Sequence, residues 1–139
     1  MLNSMDRIKI VECARQYLGV PFRHQGRSKL GIDCAGLVLL VGQEMGYLPK
    51  KLKIKNYSRM PNGDFVVNLM QEYGEEKEIK EANIGDVFLM NIGGNPQHLS
   101  IKTNIGIIHS SEFAKKVIEH ILSKSWKENI VKAFSWRIK

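Results

Sequence analysis

Directly after Asp33 come ten residues without a charge, Cys34 to Gln43. Ala35, Leu37, Val38, Leu39, Leu40 and Val41 surround a helix on nearly every side, and a helix that is apolar all round has to be interior. The run falls well short of the ~18 residues that a membrane span needs. It therefore predicts a buried helix that starts at Asp33 or Cys34, runs to about Met45 and closes at Gly46, with the rest of the fold built around it. A chain of 139 residues, 43% of them apolar, has the material for this. It is the size of one ordinary domain and can bury roughly two-thirds of its unfolded surface.

The flanking patterns separate into helices first and strands after. Ile8, Val11, Ala14 (with Cys13 beside it) and Leu18 recur at helical steps, so a first helix is expected over Ser4 to Leu18, capped by Asn3 or Ser4. Gly19 closes it and Val20-Pro21 cannot continue it. Phe22 to Ile32, with Gly26, Gly31 and the basic side chains of Arg23, His24, Arg27 and Lys29, reads as a loop. Lys50, Lys51, Lys53, Lys55 and Arg59 form a basic connector. A third helix near Asp64 to Tyr73 sets Phe65, Val66, Leu69, Met70 and Tyr73 on one face. The acidic run Glu72, Glu75, Glu76, Glu78, Glu81 reads as solvated surface. From Gly85 the pattern changes to short, apolar-rich runs separated by turn residues. Strands are expected at Val87–Ile92, His98–Lys102, Ile105–His109 and Lys116–Ile121, then a helical turn at Ser125–Asn129 and a last strand, Ile130–Ile138. Helices followed by an antiparallel sheet make the α+β class.

The net charge of +7 is unevenly placed: residues 1–60 hold 11 Lys/Arg against 4 Asp/Glu, whereas residues 61–139 hold 10 of each. An anionic partner is the functional reading and a solubilising surface the plain one. The Lys50–Arg59 cluster has only Tyr57 for stacking and no reading motif, which makes nucleic acid a poor candidate. The first residues lack the apolar core of a signal peptide, and Asp6 interrupts them early. Synthesis in the cytoplasm with free thiols is the expectation, since two cysteines make no disulfide scaffold.

Cys34 stands on the first turn of the buried helix, where unpaired N–H groups and the helix dipole favour an anion. A thiol there can have its pKa lowered. Gly36, two residues on, weakens the helix by about 1 kcal/mol relative to Ala, which makes sense if something must approach the backbone. Cys13, mid-helix among apolar neighbours, reads as packing. A nucleophilic thiol needs a base and a group to orient the base. His98 opens one strand and His109 closes the next. A hairpin centred on Thr103-Asn104 sets Lys102 opposite Ile105, Ser100 opposite Ile107, and His98 opposite His109, on one sheet face. Zinc is the rival use of one cysteine and two histidines, but no further close-spaced ligand accompanies them. His24 lies in the basic loop as a candidate cleft residue, and His120, within Val117-Ile-Glu-His-Ile, reads as structural.

Five blocks then carry a resemblance: Ala14-Arg-Gln-Tyr-Leu-Gly-Val-Pro-Phe-Arg, Gly31-Ile-Asp-Cys-Ala-Gly-Leu-Val, Ile84-Gly-Asp-Val-Phe-Leu, His98-Leu-Ser-Ile and Ile108-His-Ser. In this order and spacing they resemble the NlpC-type papain-like cysteine peptidases over nearly the whole chain. The resemblance implies a papain-like fold with the nucleophile helix packed on an antiparallel sheet. It also implies cleavage of peptide bonds in cell-wall stem peptides, typically next to γ-D-glutamyl residues, without a cofactor or metal. Cys34 matches the nucleophile, His98 the general base and His109 the residue that holds the base. Phe22-Arg-His-Gln-Gly-Arg, Val117-Ile-Glu-His, Trp126 and Ile130-Val-Lys-Ala-Phe are most similar to the branch found in phage tails and gene transfer agents. That implies tail proteins as partners and a place in the virion tail.

The chain departs from the family pattern at Phe22, usually Tyr, at Ala35, commonly Ser, and at Ser100, usually Gly. On this reading Arg23 and Arg27 are candidates to grip stem-peptide carboxylates by bidentate pairing. Phe22, His24 and Ser100 complete the substrate-binding candidates. Asp33 either orients the loop or binds a substrate amine.

Overall fold

The computed structural model describes residues 1–52, 64–92 and 95–138, with backbone alone for 64–66 and 95–97. In chain order the elements are α1 (Ser4–Arg15), β1 (Arg27–Ser28), β2 (Gly31–Ile32), α2 (Cys34–Glu44), α3 (Asp64–Tyr73), β3 (Gly74–Lys77), a 3-10 turn (Ile79–Glu81), β4 (Val87–Ile92), β5 (Asn95–Lys102), β6 (Gly106–Ser111), β7 (Lys116–Ile121), α4 (Lys124–Glu128) and β8 (Ile130–Trp136). The α+β expectation is met. Six strands form one antiparallel sheet in the order β3-β8-β4-β5-β6-β7. Helix α2 lies against β5 and β6. Leu37, Val38 and Val41 are fully buried with Leu99, Ile101 and Ile108 beneath them. The all-round apolar run is thus the centre of the core, as its pattern requires.

Helix α1 begins as anticipated. Asn3 caps it by accepting from the Asp6 amide at 2.8 Å, and Asp6 accepts from the Asn3 amide at 2.9 Å. It ends three residues early, because the amides of Gln16, Tyr17 and Leu18 bond three residues back and tighten the last turn. Gly19 then turns the chain at φ +84°. The buried face also differs from the expected one. Ile8 and Leu18 are 42% and 45% exposed, whereas Arg7, Ile10, Ala14 and Tyr17 face inward. Arg7 disguised that face: its guanidinium donates to the fully buried Asp86 carboxylate at 2.7 Å. Lys77 donates to the same carboxylate at 3.0 Å and the Ser135 hydroxyl at 2.5 Å. Asp86 thereby ties α1, β3 and β8 to the start of β4.

The expected loop over 22–32 contains the short antiparallel pair β1–β2. The acidic run contains a strand, β3, paired along β8 from Gly74 opposite Trp136 to Lys77 opposite Ala133. Glu75, Glu76, Glu78 and Glu81 stay exposed, so their solvated reading holds. Strands β4 and β7 have the expected bounds, and α4 begins one residue earlier than anticipated. In α3, Leu69 and Met70 are buried and Tyr73 half-buried. The side chains of Phe65 and Val66, and the cations Lys53, Lys55 and Arg59, lie outside the described residues. No helix among the described residues is long and apolar enough to cross a membrane.

Candidate active site

The loop before α2 is stapled onto the first turn of that helix. Asp33 is the N-cap, and its Oδ1 accepts from the Gly36 amide at 2.7 Å and from Arg27 Nη1 at 3.2 Å. Its Oδ2 accepts from the Gln25 amide at 2.8 Å. Of the two roles open to Asp33, the structure shows the orienting one: the carboxylate is buried and engaged by its own loop. What approaches the backbone at Gly36 is the chain itself. A Cβ there would stand 2.3 Å from the Gly26 carbonyl oxygen, so only glycine lets the loop lie on the helix.

Cys34, half-buried, therefore emerges where the loop meets the helix. The backbone N–H groups of Leu99, Ala35 and Cys34 itself favour its thiolate, but burial is the larger effect and the Asp33 charge adds to it. Together they push the thiol up to about 12. The lowering expected from the helix N-terminus is outweighed, because desolvation penalises the anion more than a few aligned amides stabilise it. The Leu99 amide also places the sulfur at the segment of β5 that carries His98. Cys13 is buried and donates to Glu44 Oε2 at 3.1 Å. Burial and Glu44 hold its thiol at about 12 as well.

The two histidines meet, though not in the expected register. Lys102 pairs with Ile107 and Ile101 with Ile108, so the β5–β6 turn is centred on Asn104-Ile105, one residue later than anticipated. The Thr103 hydroxyl determines this by accepting from the amides of Ile105 and Gly106 at 3.2 and 3.0 Å. Moving the turn centre by one residue moves each partner by two, which keeps side chains on the same face. His98 is consequently diagonal to His109 rather than directly opposite. Rings reach across such a diagonal. His98 Nε2 lies 2.6 Å from His109 Nδ1, with the rings edge to face.

The same step is repeated on the next strand. His109 pairs with Ile118 in β7, which leaves His120 on the diagonal. His109 Nε2 lies 2.9 Å from His120 Nε2, and His120 Nδ1 lies 2.8 Å from the Ile121 carbonyl oxygen. Trp126 of α4 covers this part of the row, 5.4 Å from the His109 ring and 4.7 Å from the His120 ring. Burial lowers His98 to about 4, with a smaller push from His120. Burial lowers His109 to about 3, followed by its two imidazole neighbours. Both rings are neutral at neutral pH. A neutral imidazole can accept a proton, which is the chemistry that a general base for a protonated thiol needs.

The other candidates divide. Phe22 and Arg23 run beside β2 toward Cys34: the Phe22 amide donates to Lys115 O at 2.9 Å and the Arg23 amide to Ile32 O at 3.2 Å. The Phe22 side chain is half-buried, that of Arg23 exposed and His24 half-buried. Arg27 is turned toward Asp33 and the Gly26 carbonyl. Ser100 does not line a cleft. It is fully buried and its hydroxyl donates to Met90 Sδ at 3.2 Å. It lies on the same face as His98 and opposite His109, but that part of the face is closed over it. Reading His120 as an isolated structural residue missed its place in the row. The even spacing 98, 109, 120 was the available signal. Among the described residues no group of three or more His, Cys, Asp or Glu is arranged to hold a metal ion.

Known proteins share this architecture. The NlpC/p60 domain of the peptidoglycan hydrolase SagA superposes with a TM-score of 0.66 at 21% identity, over 96% of this chain and 99% of that one. The peptidoglycan hydrolase RipB from Mycobacterium tuberculosis gives 0.68 at 23% identity, over 97% of this chain and 66% of that one. RipD from the same organism, a non-catalytic NlpC/p60 domain protein adapted to peptidoglycan binding, gives 0.60 at 15%, over 99% and 100%. Other matched chains are longer, and this one spans 40% to 49% of them. The sequence profile of the NlpC/P60 family matches residues 19–135, from the turn after α1 to the end of the last strand. With Cys34, His98 and His109 all inside that span, the chain belongs to the NlpC/P60 family.

Proposed function

We propose that the protein is a cysteine peptidase that hydrolyses amide bonds in peptidoglycan stem peptides, next to γ-D-glutamyl residues. The observation that carries this reading is the 2.6 Å contact of His98 Nε2 with His109 Nδ1, on the strand segment whose Leu99 amide reaches the Cys34 sulfur. His98 takes the Cys34 proton as the sulfur attacks the scissile carbonyl and the S–C bond forms. The oxyanion is met by the first amides of α2. The protonated His98 then gives its proton to the leaving amine as the C–N bond breaks. Water, deprotonated by His98, hydrolyses the thioester and restores the thiol. The basic first 60 residues suit a substrate rich in carboxylates. The resemblance of the Phe22–Arg27 segment and the C-terminal strands further supports a place in a phage or gene-transfer-agent tail, where wall cleavage aids DNA delivery.

Digestion of purified peptidoglycan by wild type and by Cys34→Ala tests this. Release of stem-peptide fragments by the wild type alone is the expected outcome. Equal release by both, or none by either across several wall chemotypes, overturns it. RipD favours a second outcome, a domain of this fold that binds the wall without cutting it. Retention on insoluble peptidoglycan by both proteins, with no release, would identify that case.

A further inference from the structure

We propose that His120 is a positioning residue that determines, through His109, which nitrogen of His98 carries the proton. The polarity of the row follows from its far end. A backbone carbonyl can only accept, so the 2.8 Å contact with Ile121 O requires a proton on His120 Nδ1. With the ring's one proton on Nδ1, His120 Nε2 is an acceptor, and His109 donates to it from Nε2 at 2.9 Å. A neutral His109 keeps no proton on Nδ1, so His98 donates there from its own Nε2 at 2.6 Å. His98 Nδ1 is left with the lone pair, and it is the atom that can take a proton from Cys34. A single acceptor on the backbone of β7 thus orders three rings on three strands.

The row does more than choose a tautomer. When His98 becomes an imidazolium, each N–H bond in the row points away from it, so every neighbouring dipole presents its negative end. Trp126 packs against His109 and His120, and His109 itself is buried, where aligned dipoles act most strongly. Among the described residues no carboxylate is hydrogen-bonded to His98, His109 or His120. The polarity therefore depends on tautomers, which His120 sets, rather than on a fixed charge.

This inference rests on the peptidase reading for its catalytic consequence, but the tautomers can be observed without substrate. Nitrogen-15 NMR of histidine-labelled protein at neutral pH reads them directly. In the wild type His98 should be protonated at Nε2 and bare at Nδ1. In His120→Leu, which offers His109 no acceptor, a population with the reverse tautomer should appear. The kcat on soluble stem peptides should fall roughly 10- to 100-fold, by analogy with the loss of outer partners of metal-ligating imidazoles. KM should not change. His120→Gln, whose carbonyl accepts and whose amide donates, should restore both readouts. A wild-type His98 protonated at Nδ1 overturns the proposal, and so does a His120→Leu variant with unchanged tautomer and kcat. If His120→Leu does not fold, the wild-type shifts and His120→Gln still decide. A wild type that cuts no stem peptide refutes the peptidase reading and leaves the tautomer order to be judged by the nitrogen shifts.

Discussion

His98 and His109 touch at 2.6 Å although the strand register sets Ser100, not His98, opposite His109. The contact spans a diagonal of the sheet, and His109 to His120 repeats it. Imidazoles suit such a step, because a flat ring on one methylene reaches the neighbouring row while keeping a nitrogen at each end. Each proton on the row also shifts its neighbours, which links the site to pH in two measurable ways.

The thiol should not behave as an activated one in the resting protein. Burial holds Cys34 at about 12 and Cys13, beside Glu44, at about 12 as well. Iodoacetamide labelling of both should therefore climb steadily with pH and reach no plateau below pH 10. A labelling midpoint near pH 7 at Cys34 would mean that the amides at the start of α2 outweigh desolvation.

Stability should fall on the acid side of neutrality. His98 and His109 titrate at about 4 and about 3 in the folded protein, against 6.5 in an unfolded chain. Their folded values are depressed, so the neutral rings contribute their full stability above about pH 6.5. Below that the unfolded chain takes up protons that the folded one refuses. Stability then declines by up to about 1.4 kcal/mol per pH unit for each ring until the folded values are reached. Urea midpoints measured between pH 7.5 and 4.5 would show it, and His98→Gln or His109→Gln should flatten the slope. An unchanged slope in both variants would place the acid sensitivity elsewhere.

Gly36→Ala should damage the site more than the helix. Alanine favours the helix by about 1 kcal/mol, but its Cβ would stand 2.3 Å from the Gly26 carbonyl oxygen. The neighbour is backbone and is held by Arg27 and Asp33, so the loop has to lift. A net destabilisation of about 1–3 kcal/mol is expected from such overpacking, together with loss of hydrolysis. Thermal denaturation and fragment release together check it. A variant as stable and active as wild type would show that the loop is free to move.

The pattern of the chain exposed the centre of the fold because that centre is unambiguous physically. Ten uncharged residues after a capping aspartate admit only an interior helix, and Val87–Ile92 and Lys116–Ile121 alternate or run apolar over strand lengths. What stayed hidden depended on partners far along the chain. Arg7 looks like a surface residue until Asp86 is beside it, and Gly74–Lys77 looks like solvated charge until β8 supplies the ladder. Ser100 reads as a substrate-binding candidate by its place beside His98 in a family block, and only the packing around β5 shows it fully buried.

By itself the sequence determined the buried helix, the cysteine at its first turn and the even count that keeps His98 and His109 on one side of a sheet. These are local facts of period and spacing, which the backbone obeys wherever the elements end up. The tertiary structure alone decided the diagonal register, the third imidazole and its carbonyl, and the balance that leaves Cys34 protonated. Those depend on desolvation and on hydrogen bonds between strands, and both exist only once the chain has folded around its helix.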